Sequence, residues 1–206
     1  MILEACVGEF SQVEPAIKHG AQRIELNSDL NHGGVTPSLG TIKQAIAYAK
    51  PRNIPVIVML RPRGGNFVYT RAELEIMRND AHLIEQAGAD GIALGALTAA
   101  DLIDTTAINF ICQDLTLDLV FHMAFDAIPE NEQFIALDWL IDHHFKRLLV
   151  HGTSLDQPLN IDHLKQLIKY ANNRLEILPG GGITKNNVQH ILTTLKIQQA
   201  HGTKIV

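Results

Sequence analysis

The chain of 206 residues is long enough for one sizeable hydrophobic core and short for two, so we expect a single domain over residues 1–206. A net charge of -5 and a pI near 6.0 argue against nucleic-acid and membrane-surface partners, because both favour basic proteins. No apolar run reaches the ~18 residues of a membrane span, and no signal peptide is visible. Two distant cysteines, Cys6 and Cys112, form no disulfide framework, so we expect a cytoplasmic protein with reduced thiols.

Short apolar runs alternate with longer amphipathic segments along the whole chain. The apolar runs predict eight strands, at about residues 1–7, 23–27, 55–61, 91–95, 118–123, 147–151, 175–179 and 198–201. Seven helical segments lie between them. Thr36-Pro37 is typical of a helix start, and Thr70-Arg-Ala-Glu73 has the spacing of a capping box. Gly20 and Gly88 follow helical patterns, where a left-handed C-cap is expected.

Eight strands separated by helices predict an α/β fold, a single-domain TIM (β/α)₈ barrel. The alternative is a doubly wound open sheet, which the missing Gly-x-Gly-x-x-Gly turn disfavours. The chain stops at Val206, just after the eighth strand, so the final helix is expected to be missing. We expect the outer face of the first and last strands to expose apolar surface, which a second copy in a homo-oligomer would cover.

Unusual polar residues occur at the carboxyl ends of the predicted strands, where barrel proteins carry their sites. Glu4 and Cys6 share a face of the first strand, and Glu25 lies on the second. Two carboxylates inside a barrel need a partner, and an inward Arg61 is predicted to pair with them. The same network is equally compatible with a purely structural filling of the barrel.

Three glycine-containing loops predict an anion site at the same rim of the barrel. Arg63-Gly64-Gly65 follows the third strand, a run that includes Gly181 and Gly182 follows the seventh, and His201-Gly-Thr with Lys204 follows the eighth. Glycine allows backbone N–H groups to approach an anion closely. The best candidates for acid–base or metal chemistry are the strand-end histidines; their alternative role is a hydrogen-bonded polar core residue. They are His122, which shares a face with Asp126, and His151 and His201.

Several motifs together resemble the CutC family of copper-homeostasis proteins. They are Leu3-Glu-Ala-Cys6, Arg23-Ile-Glu-Leu26, Gly33-Gly-Val-Thr-Pro-Ser-Leu-Gly40, Arg61-Pro-Arg-Gly-Gly-Asn-Phe-Val-Tyr69, Phe121-His-Met-Ala-Phe-Asp126 and Pro179-Gly-Gly-Gly-Ile183. The resemblance implies a cytosolic (β/α)₈ barrel, often oligomeric, that is associated with copper tolerance or copper(I) binding. It implies Cys6 as a copper(I) ligand. The chain departs from the family pattern where Asn27 replaces a second cysteine and Met123 replaces an arginine.

Three functional hypotheses follow. The first is a copper-handling protein that binds copper(I), the only cofactor expected, through Cys6. The second is an enzyme or binding protein for a small anionic or phosphorylated ligand. Arg61, Arg63 and the glycine loops would hold that ligand, and Glu4, Glu25, His122 and Asp126 would serve as acids and bases. The third is an interaction scaffold whose polar interior is structural. Whether the protein is an enzyme stays open at this stage.

Overall fold

Each predicted apolar run forms a parallel strand in the computed structural model, which describes residues 1–206. The strands are β1 (Ile2–Val7), β2 (Arg23–Leu26), β3 (Val56–Met59), β4 (Gly91–Leu94), β5 (Asp118–Phe121), β6 (Arg147–Val150), β7 (Glu176–Pro179) and β8 (Gln199–Gly202). The helices are α1 (Val13–Lys18), α2 (Leu39–Ala49), α3 (Arg71–Gln86), α4 (Thr105–Cys112), α5 (Gln133–Asp142), α6 (Ile161–Ala171) and α7 (Val188–Leu195). None of these helices combines the length and apolar character needed to span a bilayer.

The eight strands form one nearly closed barrel. Backbone ladders join them in the order β7-β6-β5-β4-β3-β2-β1-β8. No such ladder joins β7 to β8, but the Gln199 side chain on β8 donates to Glu176 Oε2 on β7 at 3.1 Å. Just beyond these strands, the Lys185 N–H donates to the Lys204 carbonyl at 2.9 Å. The predicted barrel is therefore confirmed, and the open-sheet alternative is wrong because its two edge strands would lie far apart.

The two faces of the barrel wall pack into different clusters, because successive strand residues point to opposite sides. Outward side chains such as Ile24, Val58 and Phe121 join the helices in one large hydrophobic core. The inward side chains of the middle layer form a small separate cluster inside the barrel. Its members are Ile57, Met59, Ala93, Val120, Leu149 and Leu178.

A polar layer lies inside the amino end of the barrel, formed largely by the first residues of strands. The guanidinium of Arg23 pairs with Glu4 and donates to Gln199 Oε1 at 3.0 Å. Across the barrel, Arg147 donates to Asp118 at 2.8 Å and lies 3.3 Å from Glu176. The predicted pairing of Arg61 with Glu4 is therefore wrong. The strand register sets Glu4 beside Arg23 in the parallel β1–β2 ladder.

The helix termini follow the predicted chemistry in three of four cases. Thr70 and Glu73 form the reciprocal capping box of α3. Gly20 and Gly88 adopt φ of +105° and +86°, the left-handed region that favours glycine. The predicted start of α2 at Thr36 is wrong, because its hydroxyl bonds the backbone of Arg61 at 2.9 and 3.0 Å. Ser38 caps α2 instead, accepting from the Thr41 N–H.

The outer face of β1 and β8 is covered, although no eighth helix follows β8. Ala5 and Val7 on β1 are 3% exposed, and Ala200 on β8 is fully buried. They belong to the same core as Val13 of α1 and Ile205 of the final segment. The prediction of exposed apolar surface on the outer face of β1 and β8 is therefore wrong. The homo-oligomer stays a prediction, and exposed apolar surface at β1 and β8 no longer supports it.

Replacing Arg23 with methionine tests the polar layer. The change keeps a long side chain but removes the cation beside the buried Glu4, and breaking a buried ion pair typically costs about 3–5 kcal/mol. We expect urea unfolding to report a loss of that order. Lys18→Ala, which removes an exposed pair with Glu14, should leave the unfolding midpoint nearly unchanged. Equal small effects of both variants would contradict a structural role for the buried pair.

Candidate functional site

A cavity of about 190 Å³ lies at the carboxyl-end mouth of the barrel. Five of the sequence-predicted residues line it: Cys6, Glu25, Arg61, His122 and His201. They come from different strands and from the residues that directly follow them, so the barrel closure brings them together. The wall between them is partly apolar. Its apolar members include Leu30, Met59, Phe67, Met123 and Leu149.

Cys6, Glu25 and His201 form a compact cluster on β1, β2 and β8. Their Sγ, carboxylate oxygen and ring nitrogen atoms all lie within 4.8 Å of one another. His201 Nδ1 bonds Glu4 Oε1 at 2.8 Å, and its Nε2 lies 3.7 Å from Glu25 Oε2. Asn27 donates to Glu25 Oε2 at 2.8 Å and to Cys6 Sγ at 3.4 Å. We call Cys6, Glu25 and His201 the thiol–imidazole cluster.

Burial and close pairing shift the protonation of this cluster. Burial would raise the pKa of Glu4, but the His201 hydrogen bond and the Arg23 charge outweigh it and lower that pKa to about 2. Burial raises the pKa of the Cys6 thiol and of the Glu25 carboxyl. Burial would lower the pKa of His201, but Glu25 and the contacts with Cys6 and Glu4 raise it well above its ordinary value. The cluster therefore retains its protons to a higher pH than the free side chains do.

His122 faces the same cavity as a neutral donor. The Ala124 N–H donates to its Nδ1 at 3.1 Å, so the ring proton resides on Nε2. That Nε2 is buried and has no hydrogen-bond partner. Burial and the nearby Arg61 charge lower the pKa of His122 to about 3. The ring of Phe67 lies 5.0 Å from it, centroid to centroid.

Arg61 braces two loops at the mouth and does not pair with Glu25 as predicted. Its Nη1 donates to the carbonyls of Gly33 and Gly34 at 3.1 and 3.3 Å, and its Nη2 donates to Gly65 at 2.5 Å. A Cβ on Gly33 would lie 2.9 Å from Nη1, so glycine permits this close approach. The guanidinium also lies over the Phe67 ring, 4.7 Å from its centroid.

Arg63 lies outside the cavity, contrary to the predicted shared anion site with Arg61. It pairs with Glu73 at 2.5 Å and donates to the carbonyls of Val68 and Asn66 at 2.8 and 3.0 Å. Its guanidinium thus holds its own loop against α3. Gly64 and Gly65 shape the same loop: Gly65 has φ of +87°, and a Cβ on Gly64 would lie 3.0 Å from the His32 carbonyl oxygen.

Asp126 and His151 also lie outside the cavity. A 3₁₀ turn over Met123–Ala127 follows β5, so strand alternation ends and Asp126 does not share the face of His122. Its carboxylate accepts from the N–H groups of His151 and Gly152 at 2.9 and 2.7 Å, and burial raises its pKa to about 6. The His151 ring nitrogens lie 2.8 and 2.9 Å from the carbonyl oxygens of Gly180 and Gln157. Both side chains connect loops.

The loop after β7 does not meet the cavity either. Gly181 and Gly182 have φ of +82° and +73°, and the Gly182 carbonyl accepts from the Asn187 side chain at 3.0 Å. Lys204 is exposed. The residues of the predicted anion site therefore do not meet at one place. Arg61 lines the cavity, whereas Arg63, Lys204 and the loop with Gly181 and Gly182 do not.

Sequence reasoning missed three residues that matter here. Arg23, the partner of Glu4, shares the parity of Glu25 on β2, so alternation identifies it as inward-facing. Thr203 lines the cavity just after β8 and shares the parity of His201. Phe67 gave no such signal, because its place depends on how the loop after β3 folds back.

These features define a single-domain α/β barrel with a buried thiol, imidazole and carboxyl cluster at the carboxyl ends of its strands. The chain belongs to the CutC family, whose family model matches residues 1–206. The resemblance noted in the sequence motifs is thereby confirmed.

Relatives match the chain over nearly all of its length. A family protein CutC of Enterococcus faecalis is 46% identical and is covered completely, as is this chain. The human copper homeostasis protein cutC homolog is 39% identical over 93% of this chain and 68% of its own. A crystal structure of a putative copper homeostasis protein CutC from Streptococcus agalactiae superposes with a TM-score of 0.97 at 44% identity, covering both chains fully.

The protonation of His122 can be tested by nitrogen-15 NMR of the ring, with His122→Gln identifying the signal. We expect a neutral imidazole with its proton on Nε2 throughout pH 5–8, because the folded-state pKa is about 3. In the unfolded chain the same ring titrates near 6.5. His122 therefore stabilises the fold above pH 6.5, and that contribution is lost as the pH falls towards 3. A His122 signal that titrates near neutral pH would refute the assignment.

Proposed function

We propose that the protein binds copper(I) at the thiol–imidazole cluster and serves in copper homeostasis. The observation that carries this proposal is the placement of the Cys6, His201 and Glu25 ligand atoms within 4.8 Å of one another. Thiolate and imidazole are ligand types that suit copper(I), whereas a carboxylate is a harder, weaker ligand. Cys6 and His201 would therefore be the principal ligands. The names of the human and mouse relatives, copper homeostasis protein cutC homologs, support the same role.

The surroundings of His201 favour a metal-binding orientation. Its Nδ1 is held by Glu4 at 2.8 Å, which leaves Nε2 to face Cys6 and Glu25. A carboxylate on the far nitrogen of a histidine is a recurrent feature of metal sites, because it fixes the ring and increases its basicity. Asn27, which stands where the family pattern has a second cysteine, donates towards Cys6 Sγ. It would support the Cys6 thiolate rather than bind the metal.

The other two hypotheses receive less support in their original form. An anion held by Arg63 and the glycine loops would compete with the Glu73 pair and the carbonyl contacts that occupy Arg63. A purely structural interior would leave Glu25 Oε1 and His122 Nε2 buried without partners, which destabilises a fold.

Both cysteines are free, and copper(I) binding needs a reduced thiol, so we also propose a cytoplasmic location.

Anaerobic titration with copper(I) against a competing chelator tests the proposal. Cys6→Ser and His201→Gln should each weaken binding by about tenfold or more, since each removes a preferred ligand. Cys112→Ser is the matched control: burial raises the pKa of that thiol to about 12, and it lies on α4, so binding should not change. Equal affinity of native protein and Cys6→Ser would refute the proposed site.

The proposed copper affinity should depend on pH. The pKa values of Cys6 and His201 are both raised, so copper(I) must displace protons from them at neutral pH. We expect the affinity to increase as the pH rises from 6 to 9, with proton release detected in weakly buffered solution. The increase should be smaller in Cys6→Ser, which lacks the thiol proton. An affinity independent of pH in the native protein would mean that these two groups are not the ligands.

A further inference from the structure

Three residues that line the cavity each carry a buried polar atom with no hydrogen-bond partner in the protein. These atoms are Glu25 Oε1, Arg61 Nε and His122 Nε2. These residues are only 2%, 6% and 4% exposed, and all three line the cavity. Buried polar groups in folded proteins almost always have partners. Three of the seven such atoms in the protein belong to residues around this one cavity, and this concentration points to a bound molecule that completes them.

Two of the three atoms are hydrogen-bond donors. Arg61 Nε always carries a proton, because guanidinium does not deprotonate in proteins. His122 Nε2 carries one as well, since its Nδ1 accepts from the Ala124 N–H. The molecule must therefore present acceptor oxygens to Arg61 and His122.

The charge of Arg61 indicates which acceptor is needed. Arg23, Arg63 and Arg147 each pair with a carboxylate, whereas the guanidinium of Arg61 contacts backbone carbonyls and the Phe67 ring, lies near the Tyr69 hydroxyl, and pairs with no carboxylate. Carbonyl groups satisfy its N–H donors but carry no net charge. A buried cation is stable when an anion neutralises it. A carboxylate on the bound molecule would supply both the charge and the acceptor oxygens.

The third atom and the size of the cavity restrict the rest of the molecule. Glu25 Oε1 needs a partner that can either donate or accept a hydrogen bond, such as a hydroxyl group, because burial raises the pKa of this carboxyl. The volume of about 190 Å³ equals the liquid share of about six water molecules at ~30 Å³ each, so the molecule is small. Leu30, Met59 and Leu149 on the wall suit a short carbon skeleton.

We propose that this cavity binds a small hydroxycarboxylate, with its carboxylate against Arg61 and His122 and its hydroxyl against Glu25. The proposal goes beyond copper binding, since it requires neither Cys6 nor a metal ion. Failure of one proposal therefore leaves the other intact.

Calorimetric titration of the full chain with three matched compounds tests the chemistry. Lactate carries the carboxylate and the hydroxyl, propionate lacks the hydroxyl, and lactamide lacks the charge. With copper removed by a chelator, we expect lactate to bind about tenfold or more tightly than either analogue. Lactate should also shift the ring NMR signal of His122 Nε2 in the native protein, a measurement that needs no variant. Absence of lactate binding or of this shift would overturn the proposal.

Variants then locate the binding. His122→Phe, which keeps a flat ring beside Phe67, and Glu25→Gln should each weaken lactate binding by about tenfold or more. Lys204→Ala, which changes an exposed residue outside the cavity, is the matched control and should bind lactate as the native protein does. Thermal unfolding checks that each variant is folded. Binding that survives in folded His122→Phe, or that is lost in Lys204→Ala, would place the anion elsewhere and overturn the proposal.

Discussion

The structure depends on one buried carboxylate, Glu4, held inside the barrel between Arg23 and His201. Without two partners, a charge at that depth would not be tolerated. On the amino side, Arg23 links Glu4 to Gln199 and so to the polar layer. On the carboxyl side, His201 is fixed with its second nitrogen towards the cavity. The same carboxylate thus anchors the scaffold and orients the site.

Most of the fold was predictable because it rests on local patterns. Single segments of sequence predicted the eight strands, the capping box and the two C-cap glycines. The alternation of strand residues correctly predicted that Glu4, Cys6, Glu25 and His201 point into the barrel. Alternation failed for Asp126, where a 3₁₀ turn replaces the strand. Pairing of distant side chains was not predictable. Arg23 and Arg61 both point inward, and only the register between strands decides which of them meets Glu4.

The glycine loops show why a motif can be identified correctly and interpreted wrongly. Glycines beside arginines were expected to let backbone N–H groups approach an anion. In the structure, Gly33 leaves room for Arg61 beside its carbonyl, and Gly65, with φ of +87°, presents its carbonyl to the same cation. Both outcomes use the space and the backbone freedom that glycine offers, and the sequence does not record which side of the peptide faces inward. The loops therefore hold the positively charged Arg61 guanidinium in a fixed position at the mouth of the barrel.

The absent ladder between β7 and β8 has a mechanical consequence for entry to the cavity. Local opening takes least free energy where few backbone bonds must break, and this line along the barrel wall has the fewest. β8 pairs with β1, and β1 pairs with β2, so Cys6, Glu25 and His201 would stay together when this line opens. Local opening between β7 and β8 would widen the entrance to the cavity for a solute without changing the geometry of Cys6, Glu25 and His201.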